Sequence, residues 1–326
     1  MPIDPSAREE AGRRLAGIPG LEVVPGRPLA RWTTFRIGGP AELAVEVSSE
    51  RALIGLLDLV DRFGLPMHWL GLGSNVLLPD EGLAGVVARF AGSLRRVRIR
   101  GRQVSAGAGA PLAQVARRAA KAGLGGLEAL AGFPSTVGGA VYMNAGCYGV
   151  EIKDVLHSAR IVERRVSAGE GRRWRITTVE LDAGYRSTGL SKSGAIVTRA
   201  LFDLRPGDPG ALLARIEELN ARRWAALPSG QGNAGSIFRN PPGDHAGRLI
   251  EAAGLKGSTI GGAQISPKHA NVIVNLGDAR AADVVALMRR ARDEVARQFD
   301  VRLEPEIVLA GDLRERFEGP PAAGPG

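Results

Sequence analysis

The segment from Gly132 to Gly149 limits the fold more than any other part of the chain, because five of its eighteen residues are glycine. Glycine costs about 0.5–1 kcal/mol of backbone entropy relative to alanine, so this density does not stabilise a helix or a strand. Such segments persist where a second backbone or a flat ligand must come close. The sequence therefore predicts a close-approach loop, packed against either a neighbouring segment or a cofactor.

A second glycine loop, Gly71-Leu72-Gly73-Ser74-Asn75, follows a short apolar run that predicts a buried strand at 67–70. Residues without side chains let consecutive backbone N–H groups form a concave nest for a diphosphate. The loop is not the dinucleotide fingerprint, because Val76 occupies the third glycine position and residues 77–79 predict an extended continuation. The Gly-x-Gly pattern alone also fits a plain turn. Two glycine loops in the first 150 residues nevertheless favour a dinucleotide cofactor.

The apolar spacing predicts helices and strands mixed along the chain, which indicates an α+β fold. Ser49 is a candidate N-cap of a helix that ends at Gly64, and Gly123 ends a second helix. The apolar positions of these helices are Leu53, Leu56, Leu57, Val60, Leu112, Val115, Ala116 and Ala119. Strand-like runs are predicted at 159–166, 173–181 and 194–204.

The run Arg-Pro-Gly-Asp-Pro at 205–209 predicts a domain boundary near residue 205, and its Asp208 and Pro209 begin a helix. Beyond it the pattern predicts three helices, a strand at 271–276 and a last strand at 301–309. The apolar positions of the helices are Leu212, Leu213, Ile216 and Leu219, then Leu249, Ile250 and Ala253, then Val284, Met288, Ala291, Val295 and Phe299. We therefore expect domains at 1–205 and 206–318, and a disordered Gly- and Pro-rich tail at 319–326.

Ser236 is a candidate for chemistry because it follows Gly235 and opens a short apolar strand in the predicted pattern. The Gly-x-Ser-x-Gly elbow of hydrolases is absent, since Phe238 stands at the position of its second glycine. From the residues alone, this serine fits a turn as well as it fits a proton donor.

Two further polar motifs are candidates. Glu304 and Glu306 share one face of the strand predicted at 301–309, a pattern that fits exposed carboxylates as well as catalytic ones. Tyr185 and Arg186 place a phenol beside a guanidinium, which can bind a carboxylate through two hydrogen bonds.

The formal net charge of +9 and the isoelectric point near 10.5 make polyanion binding a possible function. Five arginines lie between Arg95 and Arg102, where alternation with Val97, Ile99 and Val104 predicts the solvated face of a hairpin. Aromatic residues make up 5% of the chain, and no basic stretch is interleaved with rings that could stack on bases. The charge fits a small anionic substrate equally well.

Several classes are disfavoured. The single cysteine, Cys147, allows neither an intramolecular disulfide nor a Cys-x-x-Cys pair, and the four histidines lack metal-ligand spacing. No run of eighteen apolar residues predicts a membrane span, and residues 1–14 lack the apolar core of a secretory signal. We therefore expect no metal site, no membrane insertion and a cytoplasmic protein.

Taken in order, the motifs resemble the UDP-N-acetylenolpyruvoylglucosamine reductases, the MurB family of peptidoglycan synthesis. The resemblance covers about residues 20–311 and begins at Thr33-Thr34-Phe35-Arg36-Ile37-Gly38-Gly39-Pro40-Ala41. It continues through Gly71-Leu72-Gly73-Ser74-Asn75, residues 132–149, Tyr185-Arg186, Gly235-Ser236-Ile237-Phe238, Gly254-Leu255-Lys256-Gly257, Gly261-Gly262-Ala263-Gln264, Lys268-His269-Ala270-Asn271 and Glu304-Pro305-Glu306. Each motif alone is weak, whereas the ordered set is highly specific.

The resemblance implies an FAD-binding domain of the vanillyl-alcohol-oxidase type, with its core at about residues 34–204, followed by an α+β substrate-binding domain. It also implies a flavoenzyme in which NADPH supplies the hydride that reduces UDP-N-acetylglucosamine enolpyruvate to UDP-N-acetylmuramate. These two small molecules are the expected partners; the sequence identifies no partner protein.

The resemblance assigns roles to individual residues. Arg186 would bind and polarise the enolpyruvyl carboxylate, Ser236 would donate the proton, and Glu306 would assist at the same centre. The residues expected to bind FAD are Arg36, Ile37, Gly71, Gly73, Ser74, Asn75, Ser135, Thr136, Gly139, Asn144 and Gly146.

Two positions depart from the family pattern: Ser135 stands where glycine is usual, and Ala225-Ala226 replace a more polar pair. The interval of 50 residues from Arg186 to Ser236 resembles the shorter subtype, which lacks an inserted tyrosine-bearing substrate loop. One alternative is another flavoenzyme of this fold, such as an oxidase of small alcohols, which the set Arg186, Ser236 and Glu306 disfavours. The other is a nucleic-acid-binding protein, which rests on charge alone.

Overall fold

The computed structural model of the chain describes residues 5–164, 174–181 and 189–319. Its helices are α1 (Pro5–Ala16), α2 (Glu50–Phe63), α3 (Leu112–Lys121), α4 (Val137–Tyr142), α5 (Leu190–Ser193), α6 (Pro209–Ala226), α7 (Ala246–Ala252), α8 (Ala281–Phe299) and α9 (Leu313–Glu318). Within these residues, no helix has the length and apolar character that a bilayer crossing needs.

The strands confirm the mixed α and β composition. They are β1 (Leu21–Pro25), β2 (Ala41–Val47), β3 (Met67–Trp69), β4 (Val76–Leu77), β5 (Leu83–Phe90), β6 (Val97–Arg100), β7 (Gln103–Gly107), β8 (Leu124–Gly125), β9 (Gly146–Cys147), β10 (Val150–Glu151), β11 (Leu156–Arg164), β12 (Trp174–Val179), β13 (Ile196–Asp203), β14 (Arg205–Pro206), β15 (Gly232–Ser236), β16 (Thr259–Ile260), β17 (Ala263–Ile265), β18 (Val272–Asn275) and β19 (Val308–Leu309).

Local capping signals produce the helices that the sequence predicted. The Ser49 side chain accepts a hydrogen bond from the Ala52 N–H at the start of α2, and Gly64 ends this helix at φ 60°. Asp208 accepts a hydrogen bond from the Ala211 N–H (2.8 Å) at the start of α6. The predicted caps are therefore confirmed.

The chain forms two compact units. The first consists of Met1–Pro25, Leu43–Leu72 and Gly85–Arg223. It contains a sheet of order β1-β2-β5-β3 and a second of order β12-β11-β13-β7-β6. The antiparallel pair β6–β7 confirms the predicted arginine hairpin, since Arg98 and Arg100 are exposed while Val104 is buried.

The second unit consists of Gly26–Glu42, Gly73–Ala84 and Trp224–Gly326. Its sheet has the order β15-β18-β17-β16, and α8 packs against it with the apolar face that the sequence predicted. Buried residues of this face are Val284, Met288, Ala291 and Val295.

The division into units differs from the predicted boundary near residue 205. Helix α6 belongs to the first unit as far as Arg223, because Ile216 is buried in the same core as Leu124 and Phe202. Two earlier segments, Gly26–Glu42 and Gly73–Ala84, belong to the second unit. Each contributes a residue to the core of that unit, since Phe35 and Leu77 are buried there.

The predicted strand at 301–309 is wrong except at its end. Only Val308 and Leu309 join a ladder, in a parallel pair with β4, whereas Pro305 bridges Phe238. The segment thus changes partner along its length, and no single strand pairs with all of it. Leu303 and Ile307 are nevertheless buried while Glu304 is exposed, so the predicted alternation persists. Of the predicted tail at 319–326, only Gly319 lies among the described residues.

Candidate active site

The glycine-rich segment at 132–149 contains a short helix, α4, where the sequence predicted a loop. Thr136 begins it by accepting a hydrogen bond from the Gly139 N–H at 3.3 Å. A Cβ added at Gly138 would lie 2.8 Å from the Ala108 Cβ, so glycine allows the helix to pack closely on its neighbour. The predicted close approach is confirmed, but at Gly138 the partner is another part of the chain, Ala108, and not a cofactor.

The two glycine segments meet at Gly71 and Thr136, both in the first unit. A Cβ added at Gly71 would lie 2.7 Å from the Thr136 Oγ1. Ser135 lies beside this contact and donates its hydroxyl to the Thr136 carbonyl at 2.9 Å. The structure thus brings together four predicted FAD-binding residues of this unit, the fourth being Gly139, which follows in the first turn of α4.

Asn144 and Gly146 lie at the end of the same segment. Asn144 is fully buried with φ 42°, in the left-handed region that asparagine adopts more readily than most residues other than glycine. Its amide donates to the Glu151 carboxylate at 3.0 Å, and its Oδ1 accepts from the Lys153 N–H at 3.0 Å. Gly146 also packs on Glu151. The Asn144 side chain therefore holds its own loop, a role that the sequence did not predict.

In the second unit, Thr34 joins the N-terminal signature to two other motifs. Its N–H donates to the Gly73 carbonyl at 3.1 Å, and its hydroxyl donates to the Asn233 carbonyl at 2.7 Å. A Cβ at Gly73 would collide with the Trp32 carbonyl, and Gly73 has φ 61°. Packing and backbone conformation thus require glycine at 73 without reference to a diphosphate.

Arg36 and Ile37 follow in the same signature. The buried Asn275 amide donates to the Phe35 carbonyl at 3.0 Å, and this contact fixes the backbone immediately before Arg36. Arg36 has φ 59°, and Ile37 is buried. The sequence motifs did not indicate Asn275, although an amide at the end of an apolar strand is a signal for a buried hydrogen bond.

Asn75 connects the second glycine loop to Glu306. Its Nδ2 donates to the Glu306 carbonyl at 3.3 Å, and its own carbonyl accepts from the Val308 N–H at 3.0 Å. Ser74, half-buried, precedes it. The loop predicted to bind FAD and the glutamate predicted to be catalytic are therefore neighbours within one unit.

Ser236 is the last residue of β15, whereas the sequence predicted that it opens a strand. The pairing of β15 with β18 shifts register between Asn233 and Ser236, and this β-bulge contains Gly235 at φ 73°. The Asn233 Oδ1 accepts from the Gly235 N–H at 3.1 Å. Bulges of this kind redirect the side chain that follows, here that of Ser236.

The segment after Ser236 also holds Glu306. The Glu306 N–H donates to the Ile237 carbonyl at 2.8 Å, and Phe238 forms an isolated bridge with Pro305. Two of the three predicted catalytic residues thus lie on adjoining, hydrogen-bonded segments. The third, Arg186, and its neighbour Tyr185 lie outside the described residues.

Glu304 and Glu306 lie in different environments. It is exposed, and its carboxylate lies 3.8 Å from the Arg314 guanidinium. Of the two glutamates, only Glu306 adjoins the Ser236 segment through its own N–H. In the described part of the chain, no three His, Cys, Asp or Glu side chains are grouped as metal ligands would be.

His269 lies in the turn before β18, close to these segments. Burial lowers the pKa of its imidazole, and its Nδ1 accepts the Asn271 N–H at 3.2 Å. Both features favour a neutral ring near neutral pH, so this histidine supports backbone geometry here.

Comparison with known proteins places this arrangement in a family. Residues 227–310 match the model of the UDP-N-acetylenolpyruvoylglucosamine reductase C-terminal domain, and residues 41–166 match an FAD-binding domain. The match at 41–166 and the mixed α and β elements confirm the predicted fold class, an α+β protein whose FAD-binding domain is of the vanillyl-alcohol-oxidase type.

Similar proteins cover nearly the whole chain. UDP-N-acetylenolpyruvoylglucosamine reductase 2 of Symbiobacterium thermophilum is 46% identical over 88% of this chain and 93% of its own length. The reductase of Moorella thermoacetica is 44% identical over 90% of this chain and 94% of its own length. The crystal structure of the enzyme (MurB) from Thermus caldophilus matches with a TM-score of 0.72 and 38% identity, covering 89% of this chain and 98% of that one. The chain therefore belongs to the UDP-N-acetylenolpyruvoylglucosamine reductase family.

Proposed function

We propose that this chain reduces UDP-N-acetylglucosamine enolpyruvate to UDP-N-acetylmuramate, with FAD as cofactor and NADPH as hydride donor. This reaction supplies a peptidoglycan precursor and so serves cell-wall synthesis, cell shape and division. The observation that carries the proposal is the hydrogen bond from the Glu306 N–H to the Ile237 carbonyl, which places Glu306 beside the segment of Ser236 in a member of this family.

The residues present fit FAD. In the first unit, Gly71 of one glycine segment adjoins Ser135 and Thr136 of the other, as residues that share one ligand must. We assign FAD binding to Arg36, Ile37, Gly71, Gly73, Ser74, Asn75, Ser135, Thr136, Gly139, Asn144 and Gly146. When bound, FAD supplies the hydride-transfer chemistry that links NADPH to the substrate.

The side chains then complete the reduction of the enol ether. A hydride adds to the methylene carbon, and the electron pair of the double bond moves to the adjacent carbon, with charge developing toward the carboxylate. Arg186 stabilises this charge, Ser236 donates a proton to the adjacent carbon, and Glu306 assists. The double bond is thereby saturated. A serine is a weak acid in water, but a strongly basic carbon held close to its hydroxyl can take the proton.

We further propose that residues 1–205 bind FAD, that 206–318 bind the sugar nucleotide, and that the enzyme works in the cytoplasm. The two domain matches, at 41–166 and 227–310, support the division of roles. The requirement for NADPH and the single cysteine, which forms no intramolecular disulfide, support a reducing compartment.

The proposed function is tested with the purified protein. It should be yellow, and denaturation should release a free flavin that contains adenine. NADPH should be consumed in proportion to added enolpyruvyl substrate. A colourless protein that FAD does not reconstitute would overturn the proposal. Oxygen consumption with an alcohol in the absence of NADPH would favour an oxidase, and a gel shift at physiological salt would favour nucleic-acid binding.

A further inference from the structure

Both polar atoms of the Asn271 side chain form hydrogen bonds with the backbone of one residue, Phe238. Its Oδ1 accepts the Phe238 N–H at 3.0 Å, and its Nδ2 donates to the Phe238 carbonyl at 2.8 Å. Its backbone carbonyl accepts the Ile237 N–H at 2.9 Å. Asn271 is 3% exposed, so water does not replace these bonds if they break.

The contacts of Asn271 continue the strand pairing beyond the point where the ladder ends. The last paired residue of β15 is Ser236, opposite Val272. A planar amide that both accepts and donates imitates a backbone peptide group, so it extends the order of the sheet to Ile237 and Phe238.

The Ile237–Phe238 segment adjoins both residues that are assigned to proton transfer, Ser236 and Glu306. Ser236 immediately precedes Ile237, and the Ile237 carbonyl accepts the Glu306 N–H at 2.8 Å. The Arg239 N–H adds a further bond, to the Glu304 carbonyl at 2.9 Å. A shift of this segment would move Ser236 and Glu306 relative to each other.

We propose that Asn271 is a positioning residue for proton delivery, which it supports by fixing the Ile237–Phe238 segment between Ser236 and Glu306. This inference rests on the proposed function, because it needs Ser236 to act in the second half-reaction only. We assign Asn271 itself no contact with substrate or cofactor.

The first test is Asn271→Ala in anaerobic stopped-flow absorbance on the FAD-loaded protein. We expect nearly unchanged flavin reduction by NADPH, a flavin reoxidation by the enolpyruvyl substrate that is about 10- to 100-fold slower, and little change in substrate KM. The control is Asp283→Ala, which removes a cap of α8 in the same unit by losing the bond from the Arg280 N–H. The control should lower the thermal midpoint and leave reoxidation intact.

The second test is a double-mutant cycle. If Asn271 acts through Ser236, Asn271→Ala should slow reoxidation little further in a Ser236→Ala background. The proposal would be overturned if the two substitutions slowed reoxidation by factors that multiply in the double variant. It would also be overturned if Asn271→Ala slowed both half-reactions equally. If Asn271→Ala does not fold, Asn271→Ser carries the same tests, because it removes the amide that binds Phe238 and introduces no buried charge. If the enolpyruvyl substrate does not reoxidise the reduced flavin of the parent protein, the proposed function is refuted instead.

Discussion

The Asn75 side chain donates a hydrogen bond to the backbone carbonyl of Glu306 (Nδ2 to O, 3.3 Å), although the two residues are 231 positions apart. Asn75 also accepts the Val308 N–H, so it brackets the glutamate on both sides. Any displacement of the loop that contains Asn75 therefore reaches Glu306 directly.

Asn75→Ala should slow flavin reoxidation by the substrate about fivefold, because a hydrogen bond contributes about 1 kcal/mol and here it positions Glu306. Because Asn75 is also assigned to FAD binding, the rates are compared at saturating FAD, where flavin reduction by NADPH should change less. Stopped-flow absorbance measures both rates. The matched control is Gln264→Ala, which removes a 3.3 Å bond from a side-chain amide to the Gly257 carbonyl in the same unit. Equal effects of the two variants on reoxidation would contradict this role of Asn75.

Gly235→Ala should test whether the β-bulge aims Ser236. A Cβ at Gly235 meets open space, so the cost is that of placing alanine at φ 73°, about 1 kcal/mol. Gly243→Ala is the control, because Gly243 has φ 77° and equally open surroundings. Urea denaturation should give similar losses of unfolding free energy for both variants. Only Gly235→Ala should slow reoxidation; an unaffected rate would show that the bulge does not matter to Ser236.

Gly71→Ala should weaken FAD retention, because its Cβ would press on the Thr136 Oγ1. Thr136→Ala alone should cost about 1 kcal/mol of stability through the lost N-cap of α4. The double variant should recover part of the affinity that Gly71→Ala loses, since the clashing oxygen is gone. FAD dissociation constants from fluorescence quenching measure this coupling. Purely additive losses would mean that the contact does not shape the cofactor site.

Glu50 gives a pH-dependent prediction for the first unit. Burial opposes its ionisation, but hydrogen bonds from Arg160 (2.7 Å) and Thr198 (2.7 Å) outweigh burial and hold its pKa below the usual 4.5. Because the folded pKa is depressed, the ionised form stabilises the fold above pH 4.5, and this contribution disappears as pH falls through the folded pKa.

Glu50→Gln should therefore be less stable than the parent at pH 7, and the difference should shrink below pH 4.5. Thermal midpoints measured across this range test the prediction. Glu217→Gln, which removes one exposed ion pair with Arg117 in the same unit, should have little effect at any pH. A Glu50→Gln deficit that persists in acid would point to lost packing.

Local signals made much of the fold predictable. The caps at Ser49 and Asp208 and the apolar face of α8 depend on residues within a few positions of each other, and all were confirmed. Helix α4 was missed because the glycine density outweighed a cap and an apolar pair, Ala140 and Val141, that were present in the sequence.

The site was less predictable, because its geometry depends on distant partners. The motifs identified Ser236, Glu306 and the two glycine loops, but a single sequence does not reveal which backbone group a buried amide will bind. Asn275 contacts Phe35 across 240 positions. The assignment of residues 26–42 to the second unit follows from such contacts.

Ser236→Ala, studied by anaerobic stopped-flow absorbance, separates proton delivery to the substrate from reduction of the flavin. Ser236 is assigned only to the proton that saturates the double bond, so reduction of the flavin by NADPH should be nearly unchanged. Reoxidation by the enolpyruvyl substrate should slow by about 10²- to 10⁴-fold, the usual contribution of a positioned general acid. Arg186→Ala should differ by also weakening substrate binding, since it holds the carboxylate before and during the reaction. Equal slowing of both half-reactions by Ser236→Ala, or of neither, would contradict the assignment.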